Sequence, residues 1–276
     1  DVFKAVGLPY IIPELRKDDG EIEYGLKHGK FPKFIELKDI KGDLHSHSTY
    51  SDGNNTIEEM SKAFMAKGYE YFAVTDHSSI MGITGGMGSK DIKKQWLEID
   101  KLNKKLKGKI TVLKGTEVDI LKDGSLDFSD EILKELDVVI ISAHMRMKLS
   151  PEEQTARIIA AIENPYARIL GHPSGRLINK RPPMEFNMEK VIEACVQNKV
   201  VIEINANPER LDIEDRYLRM AKSKGAVIAI NTDAHSLDQQ DLINYGINVA
   251  RRGWLESKDI LNTKNLKGLT LALKKL

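Results

Sequence analysis

Val138-Val139-Ile140-Ile141-Ser142-Ala143-His144 decides how the rest of the chain is read. Four β-branched residues in succession leave no polar face, so they form a strand buried on both sides, as in parallel sheets. An imidazole follows just past the end of the run. Comparable runs occupy 71–75, 110–113, 168–170, 200–204 and 226–230, and helical patterns lie between them. Two helix starts are explicit. Thr56-Ile57-Glu58-Glu59 is a capping box, and Ser150-Pro151-Glu152-Glu153 places an N-cap, an N1 proline and first-turn acids in order. Strand, helix, strand demands parallel pairing. With a further strand around Asp43, the count is about seven β/α units, which favours a barrel related to the (βα)8 type over an open sheet, since no Gly-x-Gly-x-x-Gly phosphate loop is present.

The strand around Asp43 carries Gly42-Asp43-Leu44-His45-Ser46-His47-Ser48-Thr49-Tyr50-Ser51-Asp52-Gly53. Residues two apart on a strand share a face, so His45 and His47 can present two ring nitrogens to one point. Of seven histidines only His28 lies outside this pattern. His45, His47, His77, His144, His172 and His235 all fall at or just past predicted strand ends, where a parallel barrel gathers its site. Asp52, Asp76, Glu117 and Asp233 lie in the same stretches. Imidazoles and carboxylates without thiolate suit Zn²⁺, Mn²⁺ or Fe²⁺ and exclude a structural Cys-type zinc site. The ligands exceed the needs of one ion and suffice for two or three.

The chain has 276 residues and 31.1 kDa, 41% hydrophobic and 30% charged, enough for a full core. Its 42 basic and 41 acidic side chains leave a net charge of +1. No global field therefore draws it to nucleic acid or anionic lipid, and any DNA contact must be local. There is no long uncharged apolar run and no signal peptide, so cytoplasmic placement without a membrane is expected. The single Cys195 sits in an apolar-periodic helix and is assigned no role. Residues 1–41 are irregular, punctuated by Pro9, Pro13 and Pro32, and read as a linker with short helical turns. The N-terminal Asp1 in place of Met suggests a piece of a longer product. The helix from Asp91 to Lys107 is lysine-rich on its polar side, which reads most simply as a solvated face.

His45-x-His47 with Asp52, Thr75-Asp76-His77-Ser78, Glu117, His144, Gly171-His172-Pro173 and Asp233-Ala234-His235 resemble the ordered motifs of the polymerase and histidinol phosphatase (PHP) superfamily. The resemblance spans about Gly42 to Arg252 and implies a distorted (βα)7 TIM-like barrel around a trinuclear metal site. Gly171-His172-Pro173-Ser174-Gly175-Arg176, Ile204-Asn205-Ala206-Asn207-Pro208-Glu209-Arg210-Leu211 and the leader Gly7-Leu8-Pro9-Tyr10-Ile11-Ile12-Pro13-Glu14-Leu15-Arg16 are most similar to the C-terminal PHP domain of bacterial and archaeal family X DNA polymerases. Residues 1–41 would then be the tail of an upstream polymerase core, and 42–276 the phosphoesterase domain.

Position by position, the resemblance implies one ion on His45, His47, Glu117 and Asp233, a second on Glu117, His144 and His172, and a third on Asp52, His77 and His235. Met145-Arg146-Met147-Lys148 departs from the family's small or hydroxylic residues after His144, which bears on substrate contacts. The expected chemistry is in-line attack of a metal-bridging hydroxide on a phosphoester. Glu117 and Asp233 are the central carboxylates, and Arg176, Arg146 or Lys148 neutralises phosphate charge. Asp76 is expected to support the neighbouring histidines, while Asn205 and Asn207 either contact substrate or cap a turn. The leading expectation is a metal-dependent 3′-5′ exonuclease on DNA 3′ ends. The alternatives are a small-molecule phosphatase of the histidinol-phosphate type and a non-catalytic, metal-braced polymerase module. Polymerase activity itself is excluded for this chain, which lacks a Gly-Ser followed by paired aspartates.

Overall fold

The structure is a computed structural model that describes residues 2–79 and 85–274. Residues 1 and 276, the outer bounds of the two expected segments, lie outside the described residues. Among the described residues seven strands form one sheet in sequence order: β1 (Gly42–Asp43), β2 (Tyr71–Val74), β3 (Thr111–Asp119), β4 (Val138–Ser142), β5 (Ile169–Leu170), β6 (Val201–Asn205) and β7 (Ile228–Asn231). Every neighbouring pair is parallel, with Phe72 opposite Val112, Ile140 opposite Ile169 and Ile204 opposite Ile230. The sheet is a nearly closed, distorted (βα)7 TIM-like barrel. Helices α3 (Ile57–Ala66), α4 (Ser89–Leu106), α6 (Pro151–Glu163), α7 (Met188–Asn198), α8 (Asp215–Ser223) and α9 (Ile243–Arg252) flank it, and short α5 (Asp130–Leu133) precedes β4. The expected capping box at Thr56 forms, and the expected N-cap at Ser150 makes one too: the two hydroxyls accept from Glu59 N and Glu153 N, and each glutamate accepts in return.

β3 is longer than the sequence pattern implies. It pairs with β2 through Thr111–Lys114 and with β4 through Gly115–Asp119, so it changes partners at Gly115. A Cβ there would lie 2.8 Å from Thr75 Cγ2 and 2.9 Å from Val74 O, which leaves glycine as the residue that fits. Apolar side chains divide between two layers. Tyr71, Leu113, Ile140, Ile169 and Val201 fill the barrel interior, closed below by Leu261 and by Leu269 and Leu273 of α10 (Leu266–Leu273). A larger layer lies between strands and helices.

Where β1 and β7 meet, side chains and one backbone bond close the barrel. Buried Asn262 donates to Gly42 O at 2.8 Å and Ile230 O at 2.7 Å, and accepts from Ile230 N at 3.1 Å. Above it, Asp43 accepts from the Thr232 hydroxyl at 2.6 Å, from Thr232 N at 3.1 Å and from His45 N at 3.0 Å. His47 N then donates to Ala234 O at 2.9 Å.

The leader is packed rather than free-standing. Ile11, Leu15 and Phe34 bury against Trp254 beside Tyr24 of α2 (Glu21–His28), after the short α1 (Val2–Ala5). Glu14 pairs with Arg251 at 2.7 Å, and Lys17 pairs with Asp215. Among the described residues no helix is long and apolar enough to cross a membrane.

Asn262→Ala removes three buried hydrogen bonds and leaves backbone groups unpaired. It is expected to lower unfolding free energy by about 3 kcal/mol in urea denaturation. A loss under about 0.5 kcal/mol would show that closure is carried elsewhere.

Candidate metal centre

The residues expected as ligands lie at the strand ends, with two differences of position. β1 ends at Asp43, so His45 and His47 stand in the segment that follows it, and Glu117 lies inside β3 rather than beyond it. His77, His144, His172, Asp233 and His235 follow β2, β4, β5 and β7. Asp52 is brought back onto His47 by a tight turn: a Cβ on Gly53 would lie 2.4 Å from His47 O. His172 and Asp233 hold left-handed backbones, φ 24° and 55°, and His172 N is anchored on Glu203 at 2.8 Å.

All nine expected ligands converge. His45 Nε2 lies 3.3 Å from Glu117 Oε2 and 3.4 Å from Asp233 Oδ1, and His47 Nε2 lies 3.0 Å from Asp233 Oδ1. On its other oxygen Glu117 faces His144 Nε2 at 3.3 Å and His172 Nε2 at 2.7 Å. Asp52 faces His77 Nε2 at 3.5 Å and His235 Nε2 at 3.4 Å. Three groups have ligand atoms within 4.8 Å of one another: His45, His47, Glu117 and Asp233; His77, Glu117 and His144; and His47, Asp52, His77 and His235. The first set matches the expectation. In the others His77 and His47 each serve two groups, while His172 stands at Glu117 outside them. Buried His45 Nε2, both His47 ring nitrogens, His77 Nδ1, His144 Nε2 and Glu117 Oε2 have no hydrogen-bond partner. Orphaned buried nitrogen and oxygen donors aimed at common points fit divalent cations.

A surrounding layer fixes the rings. Glu203, fully buried on β6, accepts from His45 Nδ1 at 2.8 Å, His172 N at 2.8 Å, Asn231 Nδ2 at 2.9 Å and Asn205 Nδ2 at 3.2 Å. Asp119 accepts from His144 Nδ1 at 3.0 Å and His144 N at 3.2 Å. These contacts leave the opposite nitrogen, Nε2, for a metal. Asp76 accepts from Ser48 N, the Ser48 and Ser51 hydroxyls and Gln95 Nε2, all at 2.5 to 2.7 Å, and so supports the His47 loop as expected. Sequence reading missed Glu203 and Asp119. Their signal was strand alternation, which puts Asp119 on the face of Glu117 and Glu203 on the face of Asn205.

Arg176 already has partners. Its guanidinium donates to Arg210 O at 2.7 Å and Leu211 O at 2.6 Å and pairs with Glu214 at 2.9 Å, so it ties loops together. The arginine at the centre is Arg210. Its Nε lies 3.5 Å from Asp233 Oδ2, and its buried Nη1 has no partner. Arg146 and Lys148 are exposed. Asn205 holds Asp233 Oδ2 at 3.1 Å and, through Oδ1, Asn207 N at 3.1 Å.

Charge follows the same geometry. Burial alone would raise Glu117 and Asp233, yet His45 and the neighbouring rings hold both well below the usual carboxylate range. Burial lowers His47 to about 3, helped by His235 and His77. At His144 burial is outweighed by Glu117 and Asp119, and at His235 by Asp52 and Asp233, so both rise to about 9.

The site and barrel define a metal-dependent phosphoesterase, and the chain belongs to the PHP domain family, which matches residues 43–207. The chain is 40% identical over 275 residues to "DNA polymerase/3'-5' exonuclease PolX" of Bacillus subtilis, covering 100% of this chain and 48% of that protein. It thus spans about half the length of that relative. A "probable phosphatase" of a Thermoanaerobacter species is 32% identical over 235 residues, 80% of this chain and 89% of that one. The barrel also superposes on histidinol phosphate phosphatase from Lactococcus lactis, solved with zinc, L-histidinol and phosphate. That match has a TM-score of 0.59 at 19% identity, over 78% of this chain and 95% of that chain.

Two outcomes follow for metal binding. Rings raised to about 9 carry protons near pH 7 in the metal-free chain, whereas a ligand must be neutral. Uptake therefore releases protons, and affinity should climb from about pH 6 to about pH 9, read by calorimetry in two buffers of different ionisation enthalpy. Affinity independent of pH would contradict this. Glu203→Gln should weaken metal binding roughly 10- to 100-fold in chelator competition with circular dichroism unchanged; wild-type affinity would remove Glu203 from the centre.

Proposed function

We propose that the chain is a 3′-5′ exonuclease acting on DNA 3′ ends, with residues 42–276 the phosphoesterase domain and residues 1–41 the tail of an upstream polymerase core. The carrying observation is the extent of the likeness. The PolX relative aligns over the leader as well as the barrel, whereas the Thermoanaerobacter phosphatase aligns over 80% of the chain. A DNA substrate implies work in the cytoplasm in repair of DNA ends.

Divalent ions such as Mn²⁺ or Zn²⁺, three by the ligand count, would supply Lewis acidity and acidify a bound water. The nine expected ligands would hold them: His45, His47, Asp52, His77, Glu117, His144, Asp233 and His235 through the three groups, with His172 joining at Glu117. Glu203 and Asp119 fix the tautomers of His45 and His144. Arg210 replaces Arg176 as the phosphate-reading cation: its unpartnered Nη1 beside Asp233 is placed to donate to a non-bridging oxygen. No side chain needs to act as a covalent nucleophile.

A second reading, a small-molecule phosphatase of the histidinol-phosphate type, draws support from the phosphatase relative, 89% of which this chain covers. Chelator-stripped protein restored with Mn²⁺ separates the two. A 5′-labelled primer should shorten to a ladder while histidinol phosphate stays intact. Asp233→Ala should abolish the ladder, and Arg210→Ala should lower kcat/KM by roughly 10²- to 10³-fold at unchanged metal content. Phosphate release from histidinol phosphate with an intact primer would overturn the exonuclease reading.

A further inference from the structure

Helix α4 carries a feature the metal centre does not use. With about 100° per residue, Lys90, Lys93, Lys94, Lys101, Lys104 and Lys105 fall within one sector of about 120°. The one other residue in that sector is Leu97, 61% exposed. All six lysines are exposed. Ile92, Gln95, Ile99 and Leu102 bury the opposite face. The helix's acids, Asp91, Glu98 and Asp100, stand at the sector's edges. Lys94 pairs with Asp91 and Lys105 with Glu58, while Asp100 is taken by Lys114. Among the described residues no ion pair engages Lys90, Lys93, Lys101 or Lys104.

The stripe has a defined relation to the site. The segment that opens α4 is tied to the rim, Met87 N donating to His77 O at 2.8 Å, and Gln95 reaches Asp76, which supports the His47 loop. The far end is tied to the opposite end of the barrel, where Asn103 exchanges two 2.9 Å hydrogen bonds with Val112 at the start of β3. The lysines therefore begin beside a ligand loop and run about 22 Å down the outside of the barrel. That length matches about six to seven base pairs of duplex. The chain's net charge of +1 supplies no general attraction for a polyanion, and a local row of unpaired cations can supply it.

We propose that this face of α4 is a docking track for the phosphate backbone of duplex DNA, holding the duplex arm while its 3′ end enters the metal centre. The proposal rests on the exonuclease reading for its direction. Phosphate contacts of this kind fix position without reading sequence, and they weaken steeply with salt.

The test compares the 276-residue chain with a variant carrying Lys90→Gln, Lys93→Gln, Lys101→Gln and Lys104→Gln. A control loses as many charges elsewhere, at Lys258, Lys264, Lys267 and Lys274. Binding to a fluorescent 20-base-pair duplex with a recessed 3′ end is followed by anisotropy across a sodium chloride series. Mn²⁺-dependent hydrolysis of bis(p-nitrophenyl) phosphate and primer shortening are measured alongside. The expected result is at least tenfold weaker binding and a log–log salt slope shallower by about 3 in the α4 variant alone, with small-diester hydrolysis retained. An unchanged slope, or an equal loss in the control, overturns the track. Primer shortening with an unchanged slope overturns the track and leaves the exonuclease standing. A shallower slope without shortening of any primer by wild type supports the track and sinks the exonuclease.

Discussion

Everything in this structure bears on one carboxylate. Glu117 is buried inside a parallel strand with His45, His77, His144 and His172 around it, each drawn from a different stretch of chain. Such a group is costly in a low-dielectric interior unless cations meet it. Here successive parallel strands point one end at the same axis, and that is what brings so many nitrogens to two oxygens. The ligand set and the fold are thus one constraint. The orphaned ring nitrogens are the price of a site built for metal and not for its own hydrogen bonding.

The same residues that close the barrel also aim the ligands. Asn231 accepts from Leu44 N through Oδ1 and donates to Glu203 through Nδ2, and Glu203 in turn orients His45 and anchors His172. Asp43 latches Thr232 and holds His45 N. A change at the β1–β7 junction therefore reaches the metal centre through two hydrogen bonds. This layer of carboxylates and amides gives the centre a rigidity that loops alone would not supply.

Much of this was legible in the chain. Val138 to Ser142 forms a strand residue for residue as its β-branched run implies, and Thr56 and Ser150 cap helices as their spacing requires. Strand-end histidines are visible because imidazole is rare and its positions recur with the β/α rhythm. The misses have physical causes. Lys114-Gly115 looks like the end of a strand, but the glycine is where β3 passes from one neighbour to the other. β1 is two residues long, and much of its contact with β7 runs through side chains, which have no period. Glu203 interrupts an apolar run and passes for an exposed position unless its face is followed to the barrel axis. Arg176 and Arg210 sit in equally plausible loops, and only the tertiary contacts of Arg176 with Glu214 and Leu211 O show which guanidinium is already committed.

The most direct measurement of the central claim is anomalous diffraction at the manganese edge from crystals grown with Mn²⁺. The expected result is anomalous peaks enclosed by His45, His47, Glu117 and Asp233 and by the neighbouring groups around His77, His144, Asp52 and His235. Anomalous peaks confined to surface carboxylates, with these side chains left facing one another, would contradict it.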